Sequence, residues 1–487
     1  MANEYKYGAY GHLGETVAQN AVQAGTTVVY VGVAPVNLLR GYKGVINYPV
    51  KLTNYPNAQK TIGYSDDWNK YSLCEAVSAH FNNTKGNIGP IYVINVLNPD
   101  IHRKKEQTDQ NLVFSNGQAL IKSDTIILDT LALEGAVEGM DYQVDYNYTK
   151  GLVVIKSIGT NMLSGSVAAS YYEVEIEDID EADIIGGVTA QGEYSGLGAL
   201  QLLYQEQNQV CNLLAVPGWS DKPEVYKAMC TAAEQVNGHW DAFVLADIPV
   251  QGVNTIDEAK AWKVSHGYNN ERSKVFYPKA KESTGIVYHL STMAAVEFMR
   301  TDYSHDSIPM ETCGNKEIPI SGQYFGESVN QGFDQQMAKE LTSAGISTCV
   351  FWGGNWVLWG DHTAAYSYGA DVDPRAIFDV SMRMLFHITN SFQREWGTTI
   401  DKPFTKQLRD RIINREQEKL DALVAQGALI GTPEVLFLES ENSTTDMLNG
   451  DFRWDIPVTP VPPLKSATVY VAYTDTGFAA YFNSDEE

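Results

Sequence analysis

Cysteine is scarce in this chain: Cys74, Cys211, Cys230, Cys313 and Cys349 are odd in number, widely spaced and never arranged as C-x-x-C. That pattern excludes a disulfide framework and a thiolate zinc site. Long apolar runs are missing too, so no segment is expected to span a bilayer. Met1–Gly14 is polar and rich in Gly and Tyr, without the basic start and apolar stretch of a signal peptide, so folding in a cytoplasm is expected. Basic residues are in deficit, 35 against 60 acidic, for a formal charge of −25. A surface of that sign repels phosphate backbones, which argues against sequence-independent nucleic-acid binding.

Catalytic signatures are equally sparse. The chain contains no G-x-S-x-G elbow, H-E-x-x-H, Walker A or G-x-G-x-x-G. Gly8, Gly11 and Gly14 are spaced wrongly for a dinucleotide site. No two histidines stand four residues apart, and His80, His289 and His387 fall in apolar segments that make them core residues before ligands. Asp371 and Asp373 precede a Pro-initiated helix and read as N-caps, as do Asp178, Asp180 and Asp183. Nothing singles out three members of a Ser/His/Asp triad, and no cofactor or metal is expected.

With 487 residues, several domains are expected. Residues 3–20 cannot bury a face of their own and read as an arm. Thr26–Val33 and Ile91–Leu97 are β-branched runs fit for buried strands, and between them Leu73, Val77 and Phe81 mark a helix over 70–81. From about 100 to 178 short β-type runs recur, at 125–128, 142–146, 152–155 and 167–174, with Gly or Asn breaks, which argues for an all-β insertion. Residues 182–300 return to alternation: helices at 197–204 and 223–236, strands at 212–216 and 242–245, hence a parallel or mixed sheet. A further strand is expected at 347–351 and a long helix within 374–396. Phe404, Leu408, Ile412, Leu420, Leu423 and Val424 predict a helix from Pro403 to Gln426, closed by Gly427. Val435–Leu438 and Ala467–Tyr473 read as strands flanking the proline-rich 457–463.

Several of these segments, read in order, resemble the phage tail sheath family. They are Gly25–Pro35 (GTTVVYVGVAP), Asn47–Val50, Ile62–Gly63, Gly89–Val93, Ala215–Gly218, Phe243–Pro249, Tyr277–Pro278 and Ala295–Asp302, then Trp359–Thr363 (WGDHT), Gly427–Gly431 (GALIG) and Asn442–Thr444 with Gly450. The opening Tyr10–Gly14 departs from the family's start. The resemblance implies an α/β, α+β multi-domain chain: a subtilisin-like α/β core domain, an inserted β-sandwich, and a C-terminal α+β domain ending in an extended strand arm. The expected division is 1–22 arm, 23–99 N-terminal α/β domain, 100–180 β-sandwich, 181–358 core, 359–464 C-terminal sheath domain and 465–487 arm. It further implies a non-enzymatic virion or tailocin subunit. Such a subunit would polymerise with itself as stacked hexameric rings around a tail tube, meeting baseplate and tail terminator proteins.

Two sets of residues are expected to carry that role. Tyr5, Tyr7 and Tyr10 at one end, and Thr468, Val469, Tyr470, Val471 and Tyr473 at the other, would add strands to sheets of adjacent copies. Lys402, Lys406, Arg409, Arg411 and Arg415 form the main basic stripe and would face an acidic tube. A solvated helix face paired with Glu416, Glu418 and Asp421 is the alternative. Rival readings of the whole chain are a subtilisin-like serine hydrolase and a non-contractile shell or surface-array protein.

Overall fold

The computed structural model describes residues 22–159, 162–327 and 332–482. Its centre is an eight-stranded sheet in the order Asn355–Trp359, Ile346–Trp352, Ser273–Phe276, Phe243–Asp247, Leu213–Ala215, Val22–Gly32, Ile88–Asn95 and Pro49–Leu52. The six inner strands run parallel, and the two outermost pair antiparallel to their neighbours. Every residue of Phe243–Asp247 and Ser273–Phe276 is buried, Asp247, Ser273 and Lys274 included, the continuous burial of a parallel sheet covered on both faces. Strands from residues 22–95 and from 213–359 therefore share one sheet, with helices Ser72–Phe81 and Leu290–Tyr303 packed against it and each other.

Between these halves, residues 108–171 build two small antiparallel sheets. One comprises Thr108–Phe114, Gly165–Tyr171 and Ala132–Leu133, the other Gln118–Ile121, Leu152–Ser157 and Tyr142–Asn147. Alternation puts Leu112, Phe114, Ala119, Ile121, Val144, Val153 and Ile155 into a core of their own. This unit is tied back to the main body: Asn37 Nδ2 donates to the Asp124 and Ile126 carbonyls at 2.9 Å, and Tyr71 to the Asp124 carbonyl at 2.6 Å.

Beyond the sheet, helix Asp379–Trp396 packs beside helix Lys406–Ala425, and a third core gathers Met384, Leu420, Leu423, Leu429 and Val435. Thr405 caps the second helix, its side chain accepting from Leu408 N, so Pro403 lies before the helix and not in its first turn. The helix expected at 197–204 is present, as 3-10 turns over Gly196–Leu202 that run into the α-helix Leu203–Gln207, and its glycines at 196 and 198 approach neighbouring backbone too closely for any side chain. Three other expectations are corrected. Residues 125–128 are no strand, because Ile126, Ile127 and Leu128 turn inward under the junction with only one bridge, Ile126 to Glu173. Val435–Leu438 makes a single bridge, Leu436 to Asp455. Ala467–Tyr473 has no partner strand among the described residues, and without a partner there is no ladder.

Candidate assembly surfaces

The C-terminal segment leaves the body in steps that its residues dictate. Ile430 N donates to the Thr459 carbonyl and Val461 N to the Ala428 carbonyl, so the prolines between 457 and 463 run extended along the third core. Lys465 makes the next contact, and Leu464 already points into solvent. From there both faces of the chain are bare: Val469, Tyr470, Val471 and Tyr473 are 81, 93, 89 and 85% exposed. Their backbone groups bond to no described residue. An extended run of β-branched and aromatic residues, unpaired and fully solvated, is a strand lacking its sheet. A short helix, Thr476–Phe482, follows. Tyr5, Tyr7 and Tyr10 lie outside the described residues.

At its Asn355–Trp359 end the main sheet does not offer a free edge. Asn355–Trp359 is covered by residues 315–318, with Ile318 N donating to the Trp356 carbonyl and Leu358 N to the Lys316 carbonyl, both at 2.9 Å. The hairpin tip beyond it exposes Phe351 and Trp352.

The basic stripe divides by geometry. Arg415 is held by Glu395 at 3.0 Å and Glu418 at 3.2 Å, and Arg409 by its neighbour Asp410 at 2.6 Å. Arg411 lies over the Trp396 ring at 5.8 Å. Lys402 and Lys406 are exposed and pair with no described carboxylate. Glu416, expected on a solvated face, is buried, accepting from Trp396 Nε1 at 2.6 Å and Lys419 Nζ at 2.8 Å.

Polar chemistry is concentrated inside. Asp247, at the end of a central strand, accepts from Ser220 Oγ at 3.3 Å, from Ser291 N at 3.0 Å and from Ser291 Oγ; burial pushes its carboxyl up. His289 instead donates to Glu75, Nδ1 to Oε2 at 2.7 Å and N to Oε1 at 2.6 Å. Burial alone would raise Glu75 and lower His289, but each outweighs that on the other, so the carboxyl is lowered and the imidazole raised. The buried serine thus bonds a carboxylate, and the nearby histidine bonds a different one; the relay a serine hydrolase needs is not assembled here. Ser304 and His305 also touch, at 3.2 Å, but the Ser304 hydroxyl is donated to the Thr301 carbonyl at 2.7 Å. All five cysteines are buried and unpaired, and no cluster of metal-ligating side chains occurs among the described residues.

The chain is a mixed α/β body with several sheets and an inserted β unit, and solved structures share that fold. The chain is 23% identical to the tail sheath protein of Burkholderia phage BcepMu over 493 aligned residues, covering 96% of each. It is 25% identical to the major tail sheath protein of Serratia phage KSP20 over 62% of its length, and 23% to the tail sheath protein of Escherichia phage P2 over 60%. Its fold matches a chain of the anti-feeding prophage baseplate, with a TM-score of 0.58 over 96% of this chain and 98% of that one at 14% identity. A chain of the PVC extracellular contractile injection system sheath in its contracted state matches with a TM-score of 0.53, covering 98 and 100% at 13% identity. No family model matches. These relatives make the chain similar to phage tail sheath proteins over nearly its whole length.

Proposed function

We propose that this chain is a structural tail sheath subunit, polymerising as stacked hexameric rings around a tail tube and contracting to drive the tube through a target envelope. The observation that carries the reading is the solvated, unpaired 466–473 segment that leaves the α/β body. An arm that adds a strand to an adjacent copy gains main-chain hydrogen bonds and hinges at its root without losing them, which suits a polymer whose subunits move. Head-to-tail contacts that do not close generate helical stacks.

The expected domain division serves as the working plan, with 181–358 as a subtilisin-like core whose sheet is completed by strands from 23–99, and 100–180 as the β-sandwich. Lys402 and Lys406, the unpaired cations of the stripe, are the first candidates to meet an acidic tube, with Arg409, Arg411 and Arg415 beside them. Baseplate and terminator proteins would cap the polymer, in a virion tail or tailocin particle assembled in a host cytoplasm. The chain acts on no substrate: free energy is stored in a kinetically trapped extended lattice and released when subunits slide into a wider array.

Negative-stain microscopy of the purified protein tests the reading. Striated hollow tubes or stacked six-fold rings are expected; monomers at every concentration and salt, or labelling by an active-site serine probe, contradict it.

A further inference from the structure

One stretch of the chain is complementary to itself. Ser466–Thr474 carries no charge, glycine or proline and is rich in β-branched and aromatic side chains, with Lys465 before it and Asp475 after it. Outward from Tyr470, the residues at equal distance are Val469 and Val471, Thr468 and Ala472, Ala467 and Tyr473, Ser466 and Thr474, and finally Lys465 and Asp475. All of them are exposed, and the backbone of 466–473 bonds to no described residue. Lys465 Nζ reaches His362 Nε2 at 3.4 Å and the Tyr366 hydroxyl at 3.5 Å, long contacts that leave it in solvent. Asp475 pairs with no described cation.

That order decides how two copies of the segment fit together. Laid antiparallel about Tyr470, each Lys465 stands opposite the Asp475 of the other copy, so both ends of the ladder close on opposite charges. Val469 meets Val471 on either side of the centre, and Ala467 leaves room for the Tyr473 ring across from it. A parallel pair would instead set Lys465 against Lys465 and Asp475 against Asp475, and like charges directly opposite are destabilising. A slip of one residue loses both ion pairs. Alternation then sorts the ladder: Ala467, Val469, Val471 and Tyr473 of both copies share one face with the ion pairs at its ends, and the two Tyr470 side chains meet at the centre of the other.

We propose that two free copies of this chain pair through residues 465–475 as an antiparallel, two-fold ladder centred on Tyr470, so that the partner this segment fits is the same segment of a second copy. A two-stranded ribbon is marginal by itself and copies carrying −25 repel, so the pair is weak and forms as concentration rises. Its use rests on the sheath reading. A head-to-tail polymer joins two different surfaces, whereas this pair uses one surface twice and closes. The pair therefore belongs to the unassembled subunit, where it occupies the segment that a growing sheath needs, and assembly has to break it.

The test uses the full chain carrying Tyr470→Cys, oxidised with copper phenanthroline at concentrations where light scattering shows no polymer; the five native cysteines are buried and leave that thiol as the reactive one. Position 470 faces itself across the two-fold, so these copies should cross-link into dimers about tenfold faster than copies carrying Val469→Cys, whose thiols lie diagonally across the ladder. In the Tyr470→Cys chain, Asp475→Lys sets a lysine against Lys465 at both ends and should slow dimer formation about tenfold, and adding Lys465→Asp should restore it. Equal rates at 469 and 470, indifference to Asp475→Lys, a slowing that Lys465→Asp fails to restore, or no dimer at either position overturns the pairing. Tubes from the wild-type chain alongside any of those results would refute the pair and leave the sheath reading standing; the expected rates from a chain that forms no tubes would do the reverse.

Discussion

At the scale of single residues the structure separates groups that hold the body together from groups left for partners. Asp379→Asn leaves the Lys274 ammonium buried without its counter-charge and should destabilise the fold by about 3–5 kcal/mol, read from denaturant unfolding. A loss under about 1 kcal/mol would show the pair to be solvated. His80 and His362 give a pH signature. Burial lowers the first imidazole from 6.5 to about 3 and the second to about 4. A depressed folded value means the unfolded chain takes the proton first, so the stability these residues contribute is complete above pH 6.5 and is lost as pH falls toward 4. His289 runs the other way: its raised value contributes stability below pH 6.5 that is lost as pH climbs through the folded value. Replacing His80 with Gln should flatten the fall of the unfolding midpoint between pH 6.5 and 4; an unchanged slope contradicts the assignment. None of these buried pairs was legible beforehand. Lys274 and Asp379 are 105 positions apart, and Asp302 joins Thr26 across 276, separations for which one sequence holds no periodic signal.

At the scale of elements, periodicity carried most of the reading where a segment buries a face within its own chain. All but the last residue of Thr26–Val33 lies in strand Val22–Gly32 and Leu73, Val77 and Phe81 in helix Ser72–Phe81, while the 403–426 stripe is helix Lys406–Ala425. Asp180 and Asp373 are the N-caps their positions suggested, accepting from Ala182 N and Arg375 N. The reading failed at 125–128 and 435–438, where apolar runs too short to carry a period are placed by long-range packing. The basic helix shows the same limit: five cations in a row of residues say nothing of which are neutralised, and only tertiary contacts hand Arg415 to Glu395. Of that set, Lys406→Glu with Arg409→Glu should abolish assembly of the sheath on added tubes while leaving the unfolding midpoint within about 0.5 kcal/mol of wild type, as for exposed positions generally. Unchanged assembly would refute the tube-facing role.

The whole molecule brings its charge to the account. Copies carrying −25 each repel, and the repulsion is screened over about 10 Å at 0.1 M salt and about 3 Å at 1 M. The critical concentration for polymerisation should therefore fall as salt rises; a rise would mean that ion pairs between copies dominate contact. The most direct measurement compares the full chain with a version ending at Lys465, by unfolding and by electron microscopy. Residues 466–473 make no hydrogen bond or ion pair with a described residue of their own subunit, so the truncated protein should keep a cooperative unfolding transition and form no tubes. Tubes of normal appearance from the truncated chain would contradict the central claim.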